Sequence, residues 1–140
     1  MRGVTFDNVH SYNAWRLMLK SAPEISPPEP KTYYVDILGA HGQMDLSEAL
    51  AGKVLYNNRK IKLEFIYAEG RNEWTFIYYG QILNELHGKV KTIKFDDDPF
   101  STYKGRVTVG TPDVYKGCIT LPVTVECEPF VKYMDGSERL

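Results

Sequence analysis

Between Ile119 and Cys127 the odd positions are apolar (Ile119, Leu121, Val123, Val125 and Cys127), and the even ones are Thr120, Pro122, Thr124 and Glu126. A period of two fits a strand with one dry face and one wet face, and it fits no helix. It is also unforgiving, because a slip of one residue turns every apolar side chain out into water. Pro122 has no N–H to give a ladder, so it predicts an edge strand or a bulge at that point. The alternation returns over Lys60 to Tyr67, with Ile61, Leu63, Phe65 and Tyr67 on one face, and again over Tyr103 to Val109. Weaker strand signals lie at Val4–Phe6, Trp15–Leu19, Tyr33–Leu38, Val54–Tyr56 and Val90–Phe95. The expected fold is therefore α+β and mostly β, a sandwich- or barrel-like single domain.

One segment keeps a different beat. From about Asn72 to His87 the spacing is helical, with Trp74, Ile77, Tyr78, Ile82 and Leu86 placed on one stripe. Asn72 is a suitable N-cap, Glu73 favours the first turn through the helix dipole, and Gly88 can close the C-terminus. Gly80 inside this helix costs about 1 kcal/mol relative to Ala, which asks for close packing against the sheet or has no reason at all. Pro23, Pro27, Pro28 and Pro30 fall between Ser21 and Lys31. Prolines at that density forbid helix and interior strand, so an extended arm is expected at about residues 21–32. It reads as a plain surface loop or as an arm reaching a neighbouring subunit.

The chain has 140 residues, 43% of them hydrophobic and 25% charged, which suits one domain with a real core. No internal repeat or second-domain linker interrupts it. No stretch approaches the roughly 20 apolar residues of a membrane span. Seventeen basic side chains against eighteen acidic ones argue against a nucleic-acid or anionic-membrane partner. The start of the chain lacks a basic and then apolar leader, so synthesis and retention in a cytosol are expected. Cys118 and Cys127 have opposite parity, and on one strand they would stand on the order of 30 Å apart, so two unpaired thiols are expected.

The search for chemistry returns little. His10, His41 and His87 are scattered singly, without the spacing of a zinc site. Asp96-Asp97-Asp98-Pro99 lacks the alternation, glycine and closing glutamate of a calcium loop and reads as a solvated turn between strands. There is no nucleophile elbow, phosphate loop or dinucleotide fingerprint. Ser47 and Ser101 have no partner visible in the sequence. No catalytic, cofactor-binding or metal-binding residue is assigned, and no enzyme is expected; a small hydrolase built on paired acids is the least favoured reading. The aromatic fraction is 13%, with ten tyrosines, and that excess permits an alternative. A monomeric carbohydrate-binding β-sandwich could use Tyr33, Tyr34, Tyr78 and Tyr79 as its platform.

Three pieces of sequence carry a resemblance. The first runs Ile37-Leu38-Gly39-Ala40-His41-Gly42-Gln43-Met44-Asp45-Leu46-Ser47-Glu48, then Gly52, Tyr56 and Asn58-Arg59. The second is the segment with Trp74 that ends Leu83-Asn84-Glu85-Leu86-His87-Gly88-Lys89. The third is Tyr103-Lys104-Gly105-Arg106-Val107 and a strand ending Cys127-Glu128-Pro129-Phe130. In this order they resemble the amino-terminal ring domain of the siphophage distal tail proteins, over roughly Tyr33 to Phe130.

The resemblance implies a homohexameric ring in a phage or prophage tail tip. Such a ring joins the tail tube to tail-associated adhesion or fibre proteins, is assembled in the host cytoplasm and catalyses nothing. It implies that residues 1–140 form one ring domain; the carboxy-terminal galectin-like domain that many relatives carry is absent from them, so the chain resembles either a ring-only member or one half of a longer protein. Position then nominates subunit-interface residues: Ile25 and Pro28 on the arm, His41 and Met44 at the turn, and Arg59 and Arg106 as ion-pair partners.

Overall fold

The computed structural model describes residues 3–49, 51–67, 76–115 and 118–140. In chain order the elements are β1 (Val4–Phe6), β2 (Val9–His10), α1 (Ser11–Trp15), β3 (Leu17–Leu19), β4 (Glu24–Ile25), β5 (Tyr34–Asp36), β6 (Gln43–Asp45) and β7 (Arg59–Tyr67). Then follow α2 (Phe76–Leu86), β8 (Val90–Phe95), β9 (Asp98–Val109), β10 (Asp113–Tyr115), β11 (Cys118–Cys127), β12 (Val131–Tyr133) and β13 (Glu138–Arg139). The main sheet runs β2-β1-β8-β9-β11-β7-β3, with β4, β10, β12 and β13 attached at its margins. Strands β5 and β6 pair only with each other. The mostly-β α+β class read from the sequence is the class found.

The three alternating segments form the middle of the sheet. β11 pairs with β7 from Thr120↔Ile66 to Cys127↔Arg59 and with β9 from Val123↔Val109 to Cys127↔Gly105. Ile119, Leu121, Val123, Val125 and Cys127 are buried, as are Ile61, Leu63, Phe65 and Tyr67 opposite them. The strand carrying Pro122 is therefore central rather than an edge, and the bulge alternative is met on its neighbour, where three residues (110–112) stand opposite two (121–122). It tolerates the proline because its neighbour changes there: β9 ends at Val109, and β10 takes up pairing again at Asp113↔Thr120. In the gap, the Gly110 N–H donates to the Pro122 carbonyl at 2.8 Å. A Cβ on Gly110 would stand 2.8 Å from the proline ring, so the chain passes close beside it. Gly105 makes a tighter approach still, since a Cβ there would lie 2.4 Å from the Glu126 carbonyl oxygen. Glycine inside the strand permits that close backbone passage.

A one-faced sheet must cover its dry side, and this one curls until its ends meet. The Phe6 ring on β1 lies 6.3 Å from the Phe65 ring on β7, two strands at opposite ends of the sheet order. The seam is hydrogen-bonded through Ser11, which is fully buried. The Val4 N–H donates to Ser11 Oγ at 3.1 Å, and that hydroxyl donates to the Leu17 carbonyl at 3.0 Å. His10 caps α1, its Nδ1 accepting from the Tyr12 and Asn13 N–H groups. Its Nε2 lies 2.9 Å from the Asp96 carboxylate, in the turn between β8 and β9. That acidic run is an exposed turn between two strands, as expected, with Asp96 also accepting from the Gly3 N–H.

Helix α2 buries Ile82 and Leu86 and half-buries Tyr78, Tyr79 and Leu83 against the core. Asn72, Glu73 and Trp74 fall outside the described residues. Ile77 departs from its expected stripe and is 78% exposed. Five residues of helix turn it roughly 140° away from Ile82, so it cannot share that face. Gly88 closes the helix with a φ of 77°, and its N–H donates to the Val107 carbonyl, stitching the helix end to β9. Nothing lies within 4 Å of where a Gly80 Cβ would be, so close packing is not why the glycine is there.

Ser11→Ala should destabilise the fold by about 2–4 kcal/mol in urea titrations, because two buried backbone groups lose their partner. Gly80→Ala should instead raise stability by about 1 kcal/mol, read as an upward shift in Tm. The thiols should separate cleanly under an alkylating reagent. Cys118 is exposed, whereas Cys127 is buried and burial pushes its thiol up to about 12. Native protein should therefore take one label and denatured protein two.

Candidate functional site

The proline-rich segment is one rail of a long antiparallel ribbon growing out of β7. Glu24 pairs with Lys62 and Ile25 with Ile61, and the Ser26 N–H donates to the Lys60 carbonyl. The same register continues past the prolines through the Asn57 N–H to the Glu29 carbonyl, the Pro30↔Tyr56 bridge and the Lys31 N–H to the Leu55 carbonyl. Turns at 47–49 and 51–53 then intervene, and the ribbon resumes as the β5–β6 hairpin, with Tyr34↔Asp45, Val35↔Met44 and Asp36↔Gln43. The arm expected at 21–32 is thus tied to its own chain. What projects is the segment beyond it.

Two groups pin the base of that hairpin. The Leu46 N–H donates to the Tyr33 carbonyl, and the Tyr33 N–H donates to Ser47 Oγ at 2.8 Å. Ser47 in turn donates to Asp45 through both its hydroxyl and its backbone N–H. These bonds, the hydroxyl's first, hold the Asp45 carboxyl below its usual range. Sequence reasoning left Ser47 without a partner. The signal was present in Asp-x-Ser, whose side chains bond locally in turns. At the far end the Ala40 N–H donates to the Ile37 carbonyl, with Gly39 and Gly42 at φ of 82° and 71°. A side chain at either position would be strained, which is why the tip carries glycine.

The ribbon is where this molecule shows apolar surface. Of the sixteen exposed large hydrophobic side chains among the described residues, nine lie between Ile25 and Leu55. Tyr33 is 63% exposed and Leu38, at the tip, 103%. A leucine held wholly in water by an ordered turn gains nothing in the isolated chain, and an apolar cluster of this kind marks a contact surface. Where the first rail gives way to the hairpin, Val54, Leu55, Tyr56 and Phe130 line a groove of about 220 Å³ flanked by Lys31 and Lys53. The Phe130 ring meets Tyr56 edge-on at 6.1 Å.

The sequence-nominated residues scatter over this frame. Ile25, His41 and Met44 are exposed on the ribbon, His41 and Met44 near its tip. Pro28 is buried within its own chain. Arg106 is exposed on β9, and its Nη1 donates to the Gly88 carbonyl at 2.7 Å. Arg59 is only 6% exposed, and its Nε has no hydrogen-bond partner among the described residues. It alternates onto the core face of β7 opposite Cys127, and no carboxylate among the described residues pairs with it. The four tyrosines of the carbohydrate platform do not assemble either. Tyr33 and Tyr34 are on the ribbon, but Tyr78 stacks edge-on against Tyr67 at 5.5 Å. The Tyr79 hydroxyl donates to the Gly110 carbonyl at 2.6 Å.

Among the described residues no group of three or more His, Cys, Asp and Glu could hold a metal ion, and no helix is long and apolar enough to cross a membrane. The arrangement is that of a mostly-β domain whose distinctive surface is an apolar ribbon. Among solved structures it is similar to the Dit protein (gp19.1) of phage SPP1, described as a paradigm of the hub adsorption apparatus in phages that infect Gram-positive hosts. The TM-score is 0.63 at 18% sequence identity, over 95% of this chain and 52% of that one. This chain thus spans about half the length of that protein, and the likeness is one of fold. It agrees with the distal-tail resemblance in the sequence. No family model matches the chain, and no curated protein matches it in sequence.

Proposed function

We infer that this chain is a structural subunit of a phage or prophage tail hub, which assembles head-to-tail into a ring with further copies of itself. The ring joins the tail tube to tail-associated adhesion proteins, is put together in the host cytoplasm and ends in the virion tail. Its work is binding, with no catalysis, no cofactor, no nucleic acid and no membrane involved. The observation that carries this reading is the ribbon. Its hydrogen bonds hold it in one shape, yet its apolar side chains find no cover in the isolated chain, and a neighbouring subunit would supply that cover. The fold shared with a hub protein supports it. A hexamer, and a single ring domain over residues 1–140, are the forms the sequence resemblance implies.

Light scattering behind a sizing column, with negative-stain imaging of the same fractions, tests the reading. Six-fold rings with a central hole are expected from concentrated protein, and a 16 kDa species at every concentration would overturn self-assembly. Leu38→Asp should shift the chain towards monomer while leaving Tm unchanged, because Leu38 packs against nothing within its own subunit. Rings formed as readily by this variant as by the parent would remove the tip from the interface.

A further inference from the structure

We propose that the outer face of β8, β9 and β12 binds a short neutral saccharide, in a recess of about 410 Å³ that the hub reading leaves without a task. Such binding goes beyond the ring and does not rest on it. A repeated order of groups crosses this face. Thr92 on β8 stands opposite Lys104 on β9, and the Lys104 carbonyl accepts from the Glu128 N–H at 3.0 Å. One step along, Thr102 stands opposite Lys132 on β12, and Lys132 stands opposite Glu138 on β13. Each row thus sets a hydroxyl, an ammonium and a carboxylate side by side, and all six residues line the recess. Thr102 and Lys104 are two residues apart on one strand, so the rows lie roughly 7 Å apart. The Thr102 hydroxyl already donates to the Lys132 carbonyl at 3.2 Å, which leaves it an acceptor for a ligand.

The charges around the recess are free, and they balance. None of Lys104, Lys132, Glu128 and Glu138 forms an ion pair among the described residues, although Lys132 and Glu138 are cross-strand partners. A ligand therefore has no salt bridge to displace here. An anion would meet two carboxylates and a cation two lysines, so neither satisfies the whole set. Ammonium groups only donate and carboxylates only accept, and the occupant must interleave acceptors and donors over a short distance. The hydroxyls of a sugar do both.

An aromatic ring completes the set. Phe130 borders the recess, is 44% exposed and sits in edge-on contact with Tyr56. A flat apolar ring suits the C–H face of a pyranose while the polar groups take its hydroxyls. A zwitterion would match the charges, yet it brings no flat C–H face for Phe130. The recess also falls within the ~300–1,000 Å³ of small-molecule sites. The four tyrosines do not gather into a sugar platform, whereas Phe130 and the two polar rows do converge.

The test screens the whole chain against immobilised neutral oligosaccharides of hexose and N-acetylhexosamine units, with sialylated and sulfated ones alongside. The strongest neutral binder is then titrated by calorimetry into the parent and three variants, each checked for folding by circular dichroism. Lys104→Ala and Glu138→Ala remove exposed side chains and should each weaken binding about fivefold while the fold is kept. Phe130→Ala should weaken it as well. Three results would overturn the site: no neutral oligosaccharide held at millimolar concentration, binding confined to the acidic ones, or neutral binding that survives both Lys104→Ala and Glu138→Ala. Each of these leaves the ring untouched, because sizing and imaging of the parent decide that separately.

Discussion

Everything else in the molecule depends on the dry face shared by β7, β9 and β11. Three neighbouring strands present apolar side chains to one side only, and the ladder that sets their register also fixes which side that is. An open sheet of this kind would need a second layer across its full width. Helix α2 offers eleven residues, too little cover alone. The sheet supplies the rest by bending until β1 and β7 touch through Phe6 and Phe65. Ser11 then does at the seam what a ladder bond does elsewhere, taking the Val4 N–H and giving its own proton to the Leu17 carbonyl.

Curling hides the face but leaves margins, and margins invite unwanted pairing. The rail from Ser21 to Lys31 answers this along part of β7. Pro23, Pro27, Pro28 and Pro30 carry no N–H, so this outer rail is a poor template for a further strand. Recognition on the ribbon is therefore left to side chains, and the exposed hydrophobic residues gather there. Rigidity and exposure go together in this design. A floppy segment could bury Leu38 against its own domain, while a hairpin held by Asp45 and Ser47 keeps it out and already ordered for a partner.

The strands of the sheet were plain in the sequence because each carries its own signal. Alternation over Lys60–Tyr67, Tyr103–Val109 and Ile119–Cys127 depends on burial of one face, and burial is what the pattern records. Pro122 misled only as an edge signal, because its neighbour is broken there: β9 hands over to β10 through a one-residue bulge beside it. Ile77 misled because a loose apolar stripe over a long segment hides a rotation of well over a right angle. The ribbon was half legible. Proline density gave the extended rail, but nothing local says that residues 24–31 pair with 55–62, since that register is set by contacts some thirty residues apart. Arg59 shows the same limit. Its charge reads as surface, while its parity on β7 puts it beside Ile61 on the inner face.

A formal net charge of -1 conceals how unevenly the charge is laid out. All seventeen basic residues lie outside the tip segment, which holds three carboxylates. Two of the lysines flank the groove partway down the same ribbon. The ribbon is thus negative towards its tip and positive partway down, with apolar side chains between. A near-neutral chain can in this way carry a strong sense of polarity without a large field to draw in charged bystanders.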